Sequence, residues 1–266
     1  MITLLLMFAG VTVAGAAMFV QAVQAGGAAQ AEPALPPAAV PVAVPRAATG
    51  PLVALTFDDG PSPERTPYVL DVLKEKGVTA TFFLQGSHAE EHPDLVRRIR
   101  DEGHVIGNHS YSHAYFPDLA PAQAREEIVR TNAVLQEILG APPVLFRYPH
   151  GESSRAGDEV LNELNLSDDI LWHWDSALPG DFECPGAAGV QKFVTTESVN
   201  QAAILLHDAN DTLECPIEQW NYLPRTIDAL KAKGFDFGVV EPTDRPSPAN
   251  QGSRMRVVVP RTGPGA

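Results

Sequence analysis

Residues 52–62 read LVALTFDDGPS, and this stretch decides the fold. Leu52, Val53, Ala54, Leu55, Thr56 and Phe57 form an apolar, β-branched and aromatic run of the kind found in a buried strand. The run ends in two adjacent carboxylates, Asp58 and Asp59, and Gly60-Pro61 then turns the chain. Neighbouring acids at the end of a buried strand repel each other and are costly to desolvate. They call for a cation beside them, or for a proton on one of them. A metal ion meets that need, with one Asp as its ligand and the other free to handle a proton.

Working outward, apolar strand-like runs alternate with helical ones. Strands are predicted at 79–84, 105–106, 144–147, 170–174, 202–206 and 235–240. Between them, helices are predicted from an N-cap at Thr66, with Pro67 in the first turn, to Lys76, and then at 93–102, 121–139, 158–164, 190–199 and 225–233. Gly77, Gly103, Gly140 and Gly234 supply the stops. With the first strand this makes seven strands alternating with helices. The pattern predicts an α/β protein with a parallel sheet, closed as a barrel or doubly wound. No G-x-G-x-x-G follows the first strand, so a dinucleotide site is not indicated.

The chain has 266 residues and a formal net charge of -14, which argues against nucleic-acid binding and against docking on an anionic membrane. Within residues 1–25, the run 2–20 is almost wholly apolar, and the segment ends in Val23-Gln24-Ala25, which resembles a signal-peptide cleavage pattern. They read as a signal peptide or an uncleaved membrane anchor, and so as export. Residues 26–51 are a Pro/Ala-rich linker. The globular part spans 52–240. A Pro-rich tail covers 241–266, and within it 255–259 reads as a further short strand. The two cysteines, Cys184 and Cys215, each stand between Glu and Pro. In an exported chain they read as a disulfide, and otherwise as free thiols.

In a barrel, chemistry gathers at the C-terminal ends of the strands. Five reactive clusters fall there. They are Asp58-Asp59, the segment from Asn108 to His113, Arg147-Tyr148-Pro149-His150-Gly151, Trp174-Asp175 and His207-Asp208. His109 and His113 are four residues apart, a spacing that brings two imidazoles to one metal. With one Asp they make a His₂-carboxylate set that leaves positions open for water and substrate. Singly, each cluster has a plain structural explanation. Together, at five strand ends, they point to an active site.

TFDDGPS, GNHSYSH, FRYPHG, WD…DF and LLHD, in this order, resemble the five motifs of the polysaccharide deacetylase (NodB-homology, carbohydrate esterase family 4) domain. The resemblance implies a distorted (β/α)7 barrel as a single catalytic domain. It also implies metal-assisted removal of N-acetyl groups from an N-acetylglucosamine polysaccharide: peptidoglycan, chitin or a chito-oligosaccharide. By position, Asp59, His109 and His113 would bind a divalent metal, usually zinc. Asp58 would be the general base and His207 the general acid. Arg147 would orient Asp58, and Asp175 would orient His207. The backbone N–H of His150 would bind the oxyanion. Leu205 and the aromatic of the fourth motif, here Phe182, would line the acetyl pocket.

The chain departs from the pattern at two places. His150 stands where the family usually has Tyr, and Asp181-Phe182 follows Asp175 after six residues rather than three. Either that loop is longer or Asp181 is not the equivalent residue. The loops of Cys184 and Cys215 would be neighbours at the rim, bridged and shaping the substrate groove. Two other readings use the same scaffold: an O-acetyl xylan esterase and a catalytically silent glycan-binding protein.

Overall fold

The computed structural model describes residues 48–168, 180–209, 215, 220–243 and 255–260. The leader, nearly all of the linker, the strand expected at 170–174 with Trp174 and Asp175, and the chain end beyond 260 lie outside the described residues. The opening stretch forms β1 (Leu52–Asp58), buried along its whole length. It can be so apolar because it pairs in parallel with three strands: β2 (Thr81–Leu84), β6 (Ala203–His207) and β7 (Asp236–Pro242). From β2 the sheet continues in parallel through β3 (Val105–Asn108) and β4 (Leu145–Phe146) to β5 (Ser167–Asp168). The result is a nearly closed, barrel-like sheet, the distorted (β/α)7 arrangement that the motifs implied. β8 (Met255–Val258), expected from the tail, adds antiparallel to β7.

Seven helices cover the sheet among the described residues: α1 (Thr66–Lys76), α2 (Gly86–Glu91), α3 (Pro93–Asp101), α4 (Pro121–Leu139), α5 (Arg155–Leu164), α6 (Gly186–Glu197) and α7 (Tyr222–Ala232). Two differences from the sequence expectations have physical causes. The short α2 has too few apolar residues to show a helical period. Thr66 is not the N-cap of α1; Arg65 is, without a side-chain cap. The Thr66 hydroxyl is committed elsewhere, donating to Asp208 Oδ2 at 2.5 Å.

The two-residue period of the strands sorts their side chains into two layers. Val53, Leu55 and Phe57 of β1, Phe82 and Leu84 of β2, and Ile204 and Leu206 of β6 pack outward against the helices. Leu52, Ala54, Phe83, Leu145, Ala203, Val240, Met255 and Val257 form a second apolar cluster that plugs the barrel interior. Along β1 that inner face continues, towards the C-terminal end of the strand, with Thr56 and then Asp58. The barrel is therefore floored by hydrocarbon and polar at its mouth, so charges there sit over a medium of low dielectric.

Candidate active site

Asp58 is 3% exposed, and its Oδ1 accepts from Arg147 Nη1 at 2.7 Å. Arg147, from the segment after β4, lies 4.1 Å over the Phe83 ring and also donates to Thr56 Oγ1 at 2.8 Å. The guanidinium thus sits between the apolar plug and the carboxylate, an arrangement that holds Asp58 in one orientation.

Asp59 turns away with a left-handed backbone (φ 74°). Its Oδ1 lies 3.3 Å from His109 Nε2 and 3.2 Å from His113 Nε2. The three ligand-type atoms all lie within 4.8 Å of one another. His109 Nδ1–H donates to the Arg147 carbonyl at 2.9 Å, which fixes the tautomer and leaves the Nε2 lone pair facing Asp59. Burial alone would raise the Asp59 pKa, but His109 and His113, with His207 further off, hold it well below the usual carboxylate range. Asp59 Oδ1 is buried and makes no hydrogen bond among the described residues. A buried carboxylate oxygen left bare between two imidazole nitrogens is a donor set that suits a divalent cation.

The segment from His109 to His113 is held in place by α4. Ser110 and His113 both have positive φ (64° and 58°). Glu127 accepts from the Tyr111 and Ser112 backbone N–H groups at 2.9 and 2.8 Å. Asn108 Oδ1 accepts from Ser110 N–H at 2.8 Å, while its Nδ2 donates to the Ile128 carbonyl at 2.9 Å. These bonds compensate the strained backbone and set the spacing of the two imidazoles.

His207 ends β6 in register with Asp58, so both side chains leave the sheet on the same face of adjacent strands. Its Nδ1–H donates to Asp181 Oδ1 at 2.8 Å, and its backbone N–H donates to Asp181 Oδ2 at 2.8 Å. Burial by itself would lower the His207 pKa. Asp181, and beyond it Asp59 and Asp58, outweigh that and push the imidazole up to about 10. The sequence reading gave the orienting place to Asp175, which lies outside the described residues. The carboxylate at Nδ1 is that of Asp181.

The signal for Asp181 was present in the sequence as the late Asp-Phe pair, since Phe182 packs edge-on to His207 with centroids 5.5 Å apart. Cys184 and Cys215 are joined in a disulfide, and Cys215 Sγ lies 3.6 Å from the Asp181 carbonyl. The bridge therefore ties the turn carrying Asp181 to the segment after β6. Leu205 is half-buried on the same face as His207. His150 is exposed with a left-handed backbone (φ 58°), and its ring lies 4.5 Å from that of His113. Sequence reasoning gave no role to His88, whose Nδ1–H donates to the Asp59 carbonyl at 2.7 Å. It lies on α2, the helix the periodicity did not reveal.

Comparison with known proteins gives the family. The profile of the polysaccharide deacetylase family matches residues 46–167. A chitooligosaccharide deacetylase of Sinorhizobium fredii is 35% identical over 203 residues, covering 72% of this chain and 92% of the relative. The chain belongs to the polysaccharide deacetylase family.

A peptidoglycan-N-acetylglucosamine deacetylase of Bacillus cereus is 37% identical to this family member over 186 residues, or 70% of this chain and 65% of the relative. The chain thus spans less than two thirds of that relative's length. Among solved structures, a family 4 carbohydrate esterase from Streptomyces lividans in complex with acetate matches with a TM-score of 0.66 at 32% identity. That match covers 81% of this chain and 100% of the other.

Proposed function

We propose that this polysaccharide deacetylase family member hydrolyses N-acetyl groups from an exported or cell-envelope N-acetylglucosamine polymer, releasing acetate. The single observation that carries the reading is the convergence of Asp59, His109 and His113 beside an Asp58–His207 register pair. A divalent ion would be held by those three residues, and two imidazoles with one carboxylate suit zinc. Bound there, it would supply an acidified water and polarise the amide carbonyl.

The chain's own residues do the rest. Asp58, oriented by Arg147, takes the proton from the attacking water at Oδ2, the oxygen that Arg147 Nη1 leaves open. His207, kept protonated by Asp181, gives its Nε2 proton to the departing amine. The His150 backbone N–H is the proposed donor to the developing oxyanion. Leu205 and Phe182 shape an apolar pocket for the acetyl methyl group. The disulfide fits an oxidising compartment and so favours export.

Acetate release tests the reading. Acetylated chito-oligosaccharide and peptidoglycan are expected to be deacetylated, and acetylxylan much more slowly. Release from acetylxylan alone would favour the O-acetyl esterase, and release from none would leave a glycan-binding protein. Asp181→Asn is expected to lower kcat by about 10–100-fold. It should also move the alkaline limb of the kcat profile to lower pH. The sign follows from the charge: the Asp181 carboxylate raises the His207 pKa, so removing it lets the imidazole lose its proton earlier as pH rises. An unmoved limb would show that His207 is not the group whose proton is needed.

A further inference from the structure

Asp208, next to the proposed acid, has no part in the chemistry above. It is fully buried, and no cation pairs with it among the described residues. Oδ2 accepts from Thr66 Oγ1 at 2.5 Å, and Oδ1 makes no hydrogen bond among the described residues. The carboxyl instead occupies space. A methyl group built on Gly60 would lie 2.4 Å from Asp208 Oδ1, 2.5 Å from Oδ2 and 2.7 Å from Cγ, and those are its three nearest atoms. Gly60 has no positive φ, so its lack of a side chain answers to this contact and not to backbone conformation.

From this observation we propose that Asp208 is a positioning residue for the metal-binding turn. Its carboxyl seats Gly60 and thereby sets where Asp59 meets His109 and His113. The turn is gripped from both sides. On one side, Asp208 N–H donates to the Asp58 carbonyl at 3.2 Å, and Thr66 Oγ1 accepts from Ser62 N–H at 2.7 Å while donating to Asp208. On the other side, Gln85 N–H donates to the Gly60 carbonyl at 2.9 Å and His88 to the Asp59 carbonyl at 2.7 Å. Removing the Asp208 carboxyl leaves a void beneath Gly60 and takes away the acceptor that holds the Thr66 hydroxyl, while the Asp208 N–H bond to the Asp58 carbonyl stays. Shape and the Thr66 contact are what matter, because the carboxyl packs against Gly60 and bonds Thr66 without forming an ion pair among the described residues.

The inference rests on the metal-site reading, and the test separates the two. Zinc affinity of the purified protein is measured by competition with a chromogenic chelator, alongside melting of the metal-free protein. Wild type that binds no zinc refutes the site itself. If wild type binds, Asp208→Ala is expected to weaken affinity about 10-fold or more, while Asp208→Asn, which keeps shape and the Thr66 contact, stays within about threefold. Gly60→Ala is expected to weaken affinity by a similar factor, and the double variant Gly60→Ala/Asp208→Ala to bind better than either single variant. Zinc affinity of Asp208→Ala equal to wild type would overturn the inference. So would Asp208→Asn as weak as Asp208→Ala, or single-variant losses that simply add in the double.

Discussion

Asp58→Asn is expected to lower kcat for acetate release by about 10³-fold while leaving zinc bound. The amide keeps the shape of the carboxylate and one oxygen for Arg147 Nη1, but it cannot take a proton from water. Asp58 Oδ2 lies 3.7 Å from His109 Nε2, against 3.3 Å for Asp59 Oδ1, so Asp58 stands beside the ligand set rather than within it. The variant also removes a negative charge 2.7 Å from the buried Arg147 guanidinium, and some loss of thermal stability should accompany the loss of rate. Zinc content and melting temperature are therefore measured with the kinetics. A variant that retains zinc and deacetylates within tenfold of wild type would remove Asp58 from the role of base.

Loss of a ligand should have the opposite signature. His113→Ala is expected to weaken zinc binding by more than about 100-fold, beyond the range usual for changes in the outer shell of a site. Activity should fall to background at low zinc and recover in part when zinc is added in excess. His113 suits this test better than His109. Its side chain is 28% exposed against 2% for His109, so truncation leaves a smaller buried void. Chelation of wild-type protein should reproduce the loss, and restored zinc should reverse it. Full activity in a chelated, zinc-free sample would refute metal-assisted hydrolysis.

These two expectations draw on residues that were legible in the chain, and it is instructive which were not. The β1 run, the alternation of strands with helices, and the end of α1 at Gly77 were readable because burial and chain direction leave local signatures. The fifth strand expected at 170–174 falls outside the described residues; β5, at Ser167–Asp168, pairs with β4. Thr66 looked like a helix cap because Thr before Pro usually is one. Only the approach of β6 turned its hydroxyl towards Asp208.

The sequence by itself determined the chemical inventory at the strand ends: two adjacent acids, two imidazoles four residues apart, an arginine and a histidine. It did so because chemistry needs particular residue types, and those can be read without coordinates. Only the tertiary structure decided which carboxylate serves His207 and why Gly60 carries no side chain. Asp181 reaches His207 across 26 residues, and Asp208 reaches Thr66 across 142. Hydrogen bonds and close packing between segments so far apart depend on where the folded backbone brings them, and no local pattern records that.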